Sequence, residues 1–193
     1  ILKAAEQVFT EKGYEATKTR DIAEAADINI ASLHYYFRSK EKLFQLVMGK
    51  KLGEFHHLIT KMVNGEDPLY VKIRAFVPAY IDFIRENPHL PMFILSEMQN
   101  NVEQLEARIG GGAPVESLKR QLKELAEQGI IRPLSIENFM SNLIGLVIFP
   151  TLARPMLEFQ TGINEEGFEE MLEQRKKMIP DMIIKSLYIN PPE

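Results

Sequence analysis

Cations and small polar or aromatic side chains gather in one short stretch of this 193-residue chain. Lys18, Thr19 and Arg20 stand at one predicted helix start, Ile30, Ala31, Ser32, His34, Tyr35 and Tyr36 turn outward from the next helix, and Lys40 opens a third. Backbone N–H groups at a helix start already favour an anion, so a Lys or Arg there strengthens a phosphate site. Hydroxyl, imidazole and phenol groups beside small Ala and Ser suit base edges and phosphate oxygens. Catalysis has less material. The four histidines stand at 34, 56, 57 and 89, and there is no glycine-rich phosphate loop. Glu54 to His57 is one copy of the Glu-x-x-His spacing that di-iron bundles use twice. Adjacent His56 and His57 do not face each other on a helix. The expectation is no enzyme, no metal and no cofactor.

These residues need elements to hold them. Ile1, Leu2, Ala5, Val8 and Phe9 repeat at helical spacing, which predicts a helix over about 1–12 with Gly13 as its left-handed cap. Thr17 and Thr19 bracket a second start, with Ile22, Ala23 and Ala26 inside it. Asp27-Ile28-Asn29 is a turn, Asn29 caps a third helix over Ile30 to Phe37, and Ser39 caps a fourth that runs to Asn64-Gly65. Ala23 and Ala26 allow a close crossing, and Ile22, Ile28, Leu33 and Phe37 fill the core. This is helix-turn-helix spacing over about 18–37. The same spacing also suits a three-helix bundle with a solvated face, which would be a protein-interaction module without DNA binding. Further helices are predicted at 69–87, 91–108, 114–129, 135–154 and 165–188, separated by Pro68, Asn87-Pro88, Gly110 to Gly112, Arg132-Pro133 and Thr161-Gly162. The fold class is all-α, with a first domain at 1–50 and a second at 51–193.

Charge follows the same division. Residues 1–50 carry eight Lys/Arg against seven Asp/Glu, and the remainder carries 15 against 20. With no cysteine, disulfides, thiolate zinc sites and cysteine nucleophiles are excluded. The most apolar run, Leu143 to Phe149, is far shorter than the roughly 20 residues of a membrane span. No export leader is recognisable, so the expected compartment is the cytoplasm. The chain begins at Ile1, and a few residues are expected before it.

Thr19 to Ala26 (TRDIAEAA) and Ser32 to Leu43 (SLHYYFRSKEKL) resemble the DNA-binding domain of TetR-family transcriptional regulators, with the likeness running from Ile1 to about Leu46. The resemblance implies that the third helix lies in the major groove, with Ile30, Ala31 and Ser32 facing bases. It implies phosphate contacts by Tyr36 and Lys40, with Thr19 and Arg20 against the backbone. Two positions depart from the pattern: Asp27 stands where glycine is common, and His34 replaces the first aromatic.

Beyond residue 50 the reading returns to patterning. Ile73, Phe76, Tyr80 and Phe83 form one stripe, Phe93, Ile94 and Met98 a second, and Phe139, Leu143 and Val147 a third, with Phe55, Ile59 and Met62 on the fourth helix. Such stripes either pack as core or line a cavity for a small, mostly apolar ligand. Pro78 interrupts the first stripe, Met and Phe adapt to irregular space, and Glu97 lies inside the apolar run MFILSEM. Residues 143–149 are apolar all round, and Phe168, Met171, Leu172, Met178, Ile179, Met182, Ile183 and Leu187 add a second stripe. Helices 135–154 and 165–188 are therefore expected to pair with those of a second copy in a four-helix dimer interface. The expectation is a ligand-responsive, homodimeric repressor of a pseudo-palindromic operator.

Overall fold

The computed structural model describes residues 1–100 and 115–192. Among them run ten helices: α1 Leu2–Ala16, α2 Thr19–Ala25, α3 Ile30–Phe37, α4 Lys40–Asn64, α5 Leu69–Glu86, α6 Leu90–Asn100, α7 Val115–Glu127, α8 Ile136–Leu152, α9 Arg154–Thr161 and α10 Glu165–Leu187. The predicted 91–108 helix is seen as α6, and the rest of it, with the Gly110–Gly112 loop, lies outside the described residues. The expected end of α1 at Gly13 is instead a break. Gly13 has φ 77 and ψ 164, a conformation essentially reserved for glycine, after which a helical turn resumes. α9 is absent from the sequence reading, because Arg154-Pro155 looks like a stop when its proline actually sits in the first turn of a new helix.

The chain divides into two compact units, with the boundary inside α4 at Glu54/Phe55, four residues past the expected Lys50. The segment from Glu86 that carries α6 groups with the first unit. In the first unit Ala5, Val8, Phe9, Ile22, Ala23, Leu33, Leu43, Val47 and Leu52 are buried. Phe44 meets Phe9 edge-on at 5.0 Å and Phe93 of α6 edge-on at 5.8 Å.

The second unit is built on Ile73, Phe76, Val77, Tyr80, Phe139, Leu143, Val147, Phe168, Leu172 and Ile179. Pro150 lies inside α8 and has no N–H for the carbonyl of Leu146, four residues earlier. Arg175 of α10 donates its Nη2 to that oxygen at 2.6 Å, so a side chain replaces the lost helical bond. Burial pulls the Arg175 pKa down from its usual value. Strand-like pairing of Ile131 with Tyr188 closes the end of α10, with Arg132 N–H on the Leu187 carbonyl at 2.7 Å. Among the described residues no single helix is long and apolar enough to cross a membrane; α8 and α9 reach that length and composition only together, bent by 66°.

Candidate nucleic-acid interface

The turn between α2 and α3 is tight. Ala26 N–H bonds to the Ile22 carbonyl at 3.0 Å, and Ile28 N–H reaches the Ala23 carbonyl at 3.0 Å. Asp27 takes the left-handed conformation (φ 52) that glycine would adopt at less cost, and it does so without distorting the pattern. Asn29 then caps α3, its Oδ1 accepting from Ser32 N–H at 2.7 Å. At the start of α2, Asp21 Oδ2 accepts the Lys18 backbone N–H at 2.8 Å, and Lys12 pairs with the other oxygen at 3.1 Å. That backbone bond first, and then Lys12, hold the Asp21 carboxyl below its ordinary pKa.

With its N-terminus capped and Leu33 as its only buried residue, α3 offers the rest of its surface outward. Tyr35 is 82% exposed and Tyr36 66%, their rings 5.3 Å apart and edge-on. Ile30, Ala31 and His34 are exposed as well, and Ser32 is half-buried. Lys18 and Arg20 are exposed beside half-buried Thr19. Lys40 differs from the other cations. Its Nζ donates to the carbonyls of Tyr14 at 2.8 Å and Thr17 at 3.0 Å, and it stands 4.3 Å from the centre of the Tyr14 ring. Thr17 is itself buried, its hydroxyl on the Gly13 carbonyl at 2.6 Å.

Residues 1–47 match the family described as bacterial regulatory proteins of the tetR family. The chain is similar to IcaR, the negative transcriptional regulator of the biofilm operon icaADBC in Staphylococcus aureus (strain Newman), with 27% identity over 169 residues, 86% of this chain and 88% of IcaR. Its fold is similar to that of an HlyIIR variant (28% identity, TM-score 0.60, 98% and 95% of the two chains). It also resembles the fold of PfmR from Thermus thermophilus (24% identity, TM-score 0.64, 95% and 96%). The N-terminal domain, residues 1–47, belongs to the TetR family of helix-turn-helix transcriptional regulators. Regulation of transcription through a helix-turn-helix is its function, and the interaction-module alternative falls away.

The second unit of this regulator brings most of the predicted ligand residues together. Phe55 lies 4.9 Å from Tyr80 and 5.5 Å from Phe83, and Phe76 lies 5.3 Å from Tyr80. Met62, Phe139, Leu143 and Val147 belong to the same buried core, with Ile59 packed against it. Burial raises the Tyr80 pKa well above that of a free phenol. Phe93 and Glu97 sit on α6, which groups with the first unit, where Phe93 meets Phe44 edge-on.

Patterning also missed three features. Lys72 is only 6% exposed, its Nζ bonded to Gln121 Oε1 at 2.9 Å, and burial lowers its pKa while Asp67 opposes the shift. In the sequence Thr17 reads only as a bracket of the second helix start, and Arg38 as one cation among several. Among the described residues no three His, Asp or Glu are grouped to hold a metal ion.

Proposed function

We propose that this regulator is a homodimeric repressor, working in the cytoplasm on a pseudo-palindromic operator and released by a small, mostly apolar ligand. The observation that carries it is the capped α3, in which Leu33 alone is buried and Ile30, Ala31, His34, Tyr35 and Tyr36 are exposed. Ile30, Ala31 and Ser32 read base edges, while Thr19, Arg20 and Tyr36 hold phosphates and Lys18, His34 and Tyr35 flank them. The first domain, at 1–50, binds DNA, and the rest binds ligand and the second copy. IcaR is named a negative regulator, which favours repression here.

The dimer forms through α8 and α10, whose outer faces carry exposed Ile144, Phe149, Met178 and Met182. Gly145, Leu146, Met182 and Ile183 line a depression of about 360 Å³ on the same pair of helices, open to a neighbour. The ligand enters among Phe55, Ile59, Met62, Phe76, Tyr80, Phe83, Phe139, Leu143 and Val147, displacing core contacts. Lowering operator affinity ~10 to 100-fold needs a coupling of about 1–3 kcal/mol, and operator must weaken ligand binding by the same factor.

Footprinting on DNA from upstream of the chain's own coding region tests the reading. Two protected half-sites, roughly 34–36 Å or a multiple apart, are expected. Protection without sequence preference refutes the operator reading.

A further inference from the structure

The cation that opens α4 and the cation that closes α3 have exchanged the roles their positions suggest. Lys40 carries three N–H donors, and two of them already serve the carbonyls of Tyr14 and Thr17. Its charge rests on the Tyr14 ring. These bonds join the end of α1 to the start of α4 across more than twenty residues of chain. A phosphate could take this ammonium only in competition with two carbonyls and an aromatic face.

Arg38 is in the opposite situation. It forms the link between α3 and α4 with Ser39, and its side chain is exposed with no hydrogen bond or ion pair to the described residues. Its backbone has φ 62 and ψ −45, and Ser39 N–H closes on the Phe37 carbonyl at 2.7 Å. A bond from residue i+2 back to residue i around a positive φ is the rare, strained form of γ-turn. Glycine would make this turn with less steric cost. The chain instead carries its longest cation there, so the side chain has a use that the turn alone does not supply.

The place in the fold says what that use is. α3 has eight residues, about 12 Å at 1.5 Å each, and the major groove is about 12 Å wide. A helix whose first turn reaches base edges therefore brings its last residue to the flanking phosphates. An arginine there meets a phosphate with two parallel N–H bonds, which a lysine cannot do.

We propose that Arg38 is the phosphate-neutralising cation at the end of the recognition helix, and that Lys40 is a positioning residue that locks α1 to α4. This rests on the DNA-binding reading above and assigns the contact within it. The experiment measures affinity for a random-sequence duplex against salt concentration, with melting of the same variants followed by circular dichroism. Arg38→Gln should weaken binding and reduce the log–log salt slope by about two units per dimer, one for each contact. Arg38→Gly should do the same while melting at or above the parent temperature, because it relieves the turn. Arg38→Lys should keep the slope and lose part of the affinity. Lys40→Met should melt lower and bind more weakly with the parent's slope, and Lys40→Arg should restore part of the melting temperature. A parental slope in Arg38→Gln, or a loss of two units in Lys40→Met instead, overturns the assignment. If the parent itself shows no salt-dependent DNA binding, the DNA-binding reading fails and this assignment falls with it.

Discussion

α3 and α8 both leave large side chains in solvent, yet the two surfaces differ in kind. On α3 the exposed groups are Tyr35, Tyr36 and His34, apolar bodies with polar tips, and cations stand on either side. On α8 the large apolar ones are Ile144 and Phe149, beside the open Gly145 and the Met178 and Met182 of α10, with Ser141, Asn142 and Ser186 as the polar groups of the same depression. A surface that stays wet when free and must meet charged phosphate needs groups that hydrogen-bond in both states. A surface that meets a second copy of itself gains from a mostly apolar centre. The two proposed partners rest on the chemistry of the exposed groups more than on their number.

The largest effects should separate the two faces of α8 itself. Phe139, buried on the inner face, should cost about 3–5 kcal/mol when cut to alanine, read as a loss of thermal and denaturant stability. Ile144→Asp on the outer face should leave helix content intact. It should weaken self-association at least about 100-fold, since two carboxylates would meet across a two-fold axis. Sedimentation at micromolar concentration reads the difference, and a dimer that persists in Ile144→Asp removes this face as the interface.

On α3 the effects should be smaller and concern specificity. Ser32→Ala should relax preference at one base pair in each half-site, by at most about 1–3 kcal/mol, with the salt slope unchanged. Competition against single-base operator variants measures it, and a uniform loss across all sequences would place Ser32 on the backbone instead. Asn29→Ala removes the cap on Ser32 N–H and should lower the stability of the first unit by about 1 kcal/mol. Melting in the absence of DNA tests it.

The smallest effect lies away from both faces. His89 is half-buried, with a ring carbon 3.5 Å from where a Cβ on Gly13 would sit, and burial lowers its pKa from 6.5. The unfolded chain therefore takes up its proton first as pH falls. Stability from this residue is fully present above 6.5 and is lost progressively as pH falls through the lowered folded-state value. His89→Gln should flatten that part of the pH–stability curve, and an unchanged curve would show that His89 does not contribute to it.

The residues that act over three or four positions were legible in the sequence. Asn29 caps α3 as its type and place predict, Ser39 accepts the Lys42 N–H at 3.1 Å, and Asp27 makes the turn that glycine usually makes. Caps of this kind depend on nearby backbone groups, so local chemistry suffices for them, whereas the stops read at Gly13 and Arg154-Pro155 do not hold in the folded chain. The fold class and the outward side of α3 followed from the same short-range rules and from the resemblance.

What lay beyond those rules was the choice among distant partners. Lys40 looked like a free cation, and only the folded chain brings the carbonyls of Tyr14 and Thr17 to it. Pro150 signals a missing N–H, but nothing near it in the chain says that Arg175 supplies the replacement donor. Chain order puts the Phe93 stripe in the second domain, whereas in the folded chain α6 groups with the first unit and Phe93 meets Phe44. Periodicity tells which side of a helix must be covered. What covers it depends on which surfaces the rest of the chain brings within reach, and that is decided by the simultaneous packing of all the helices.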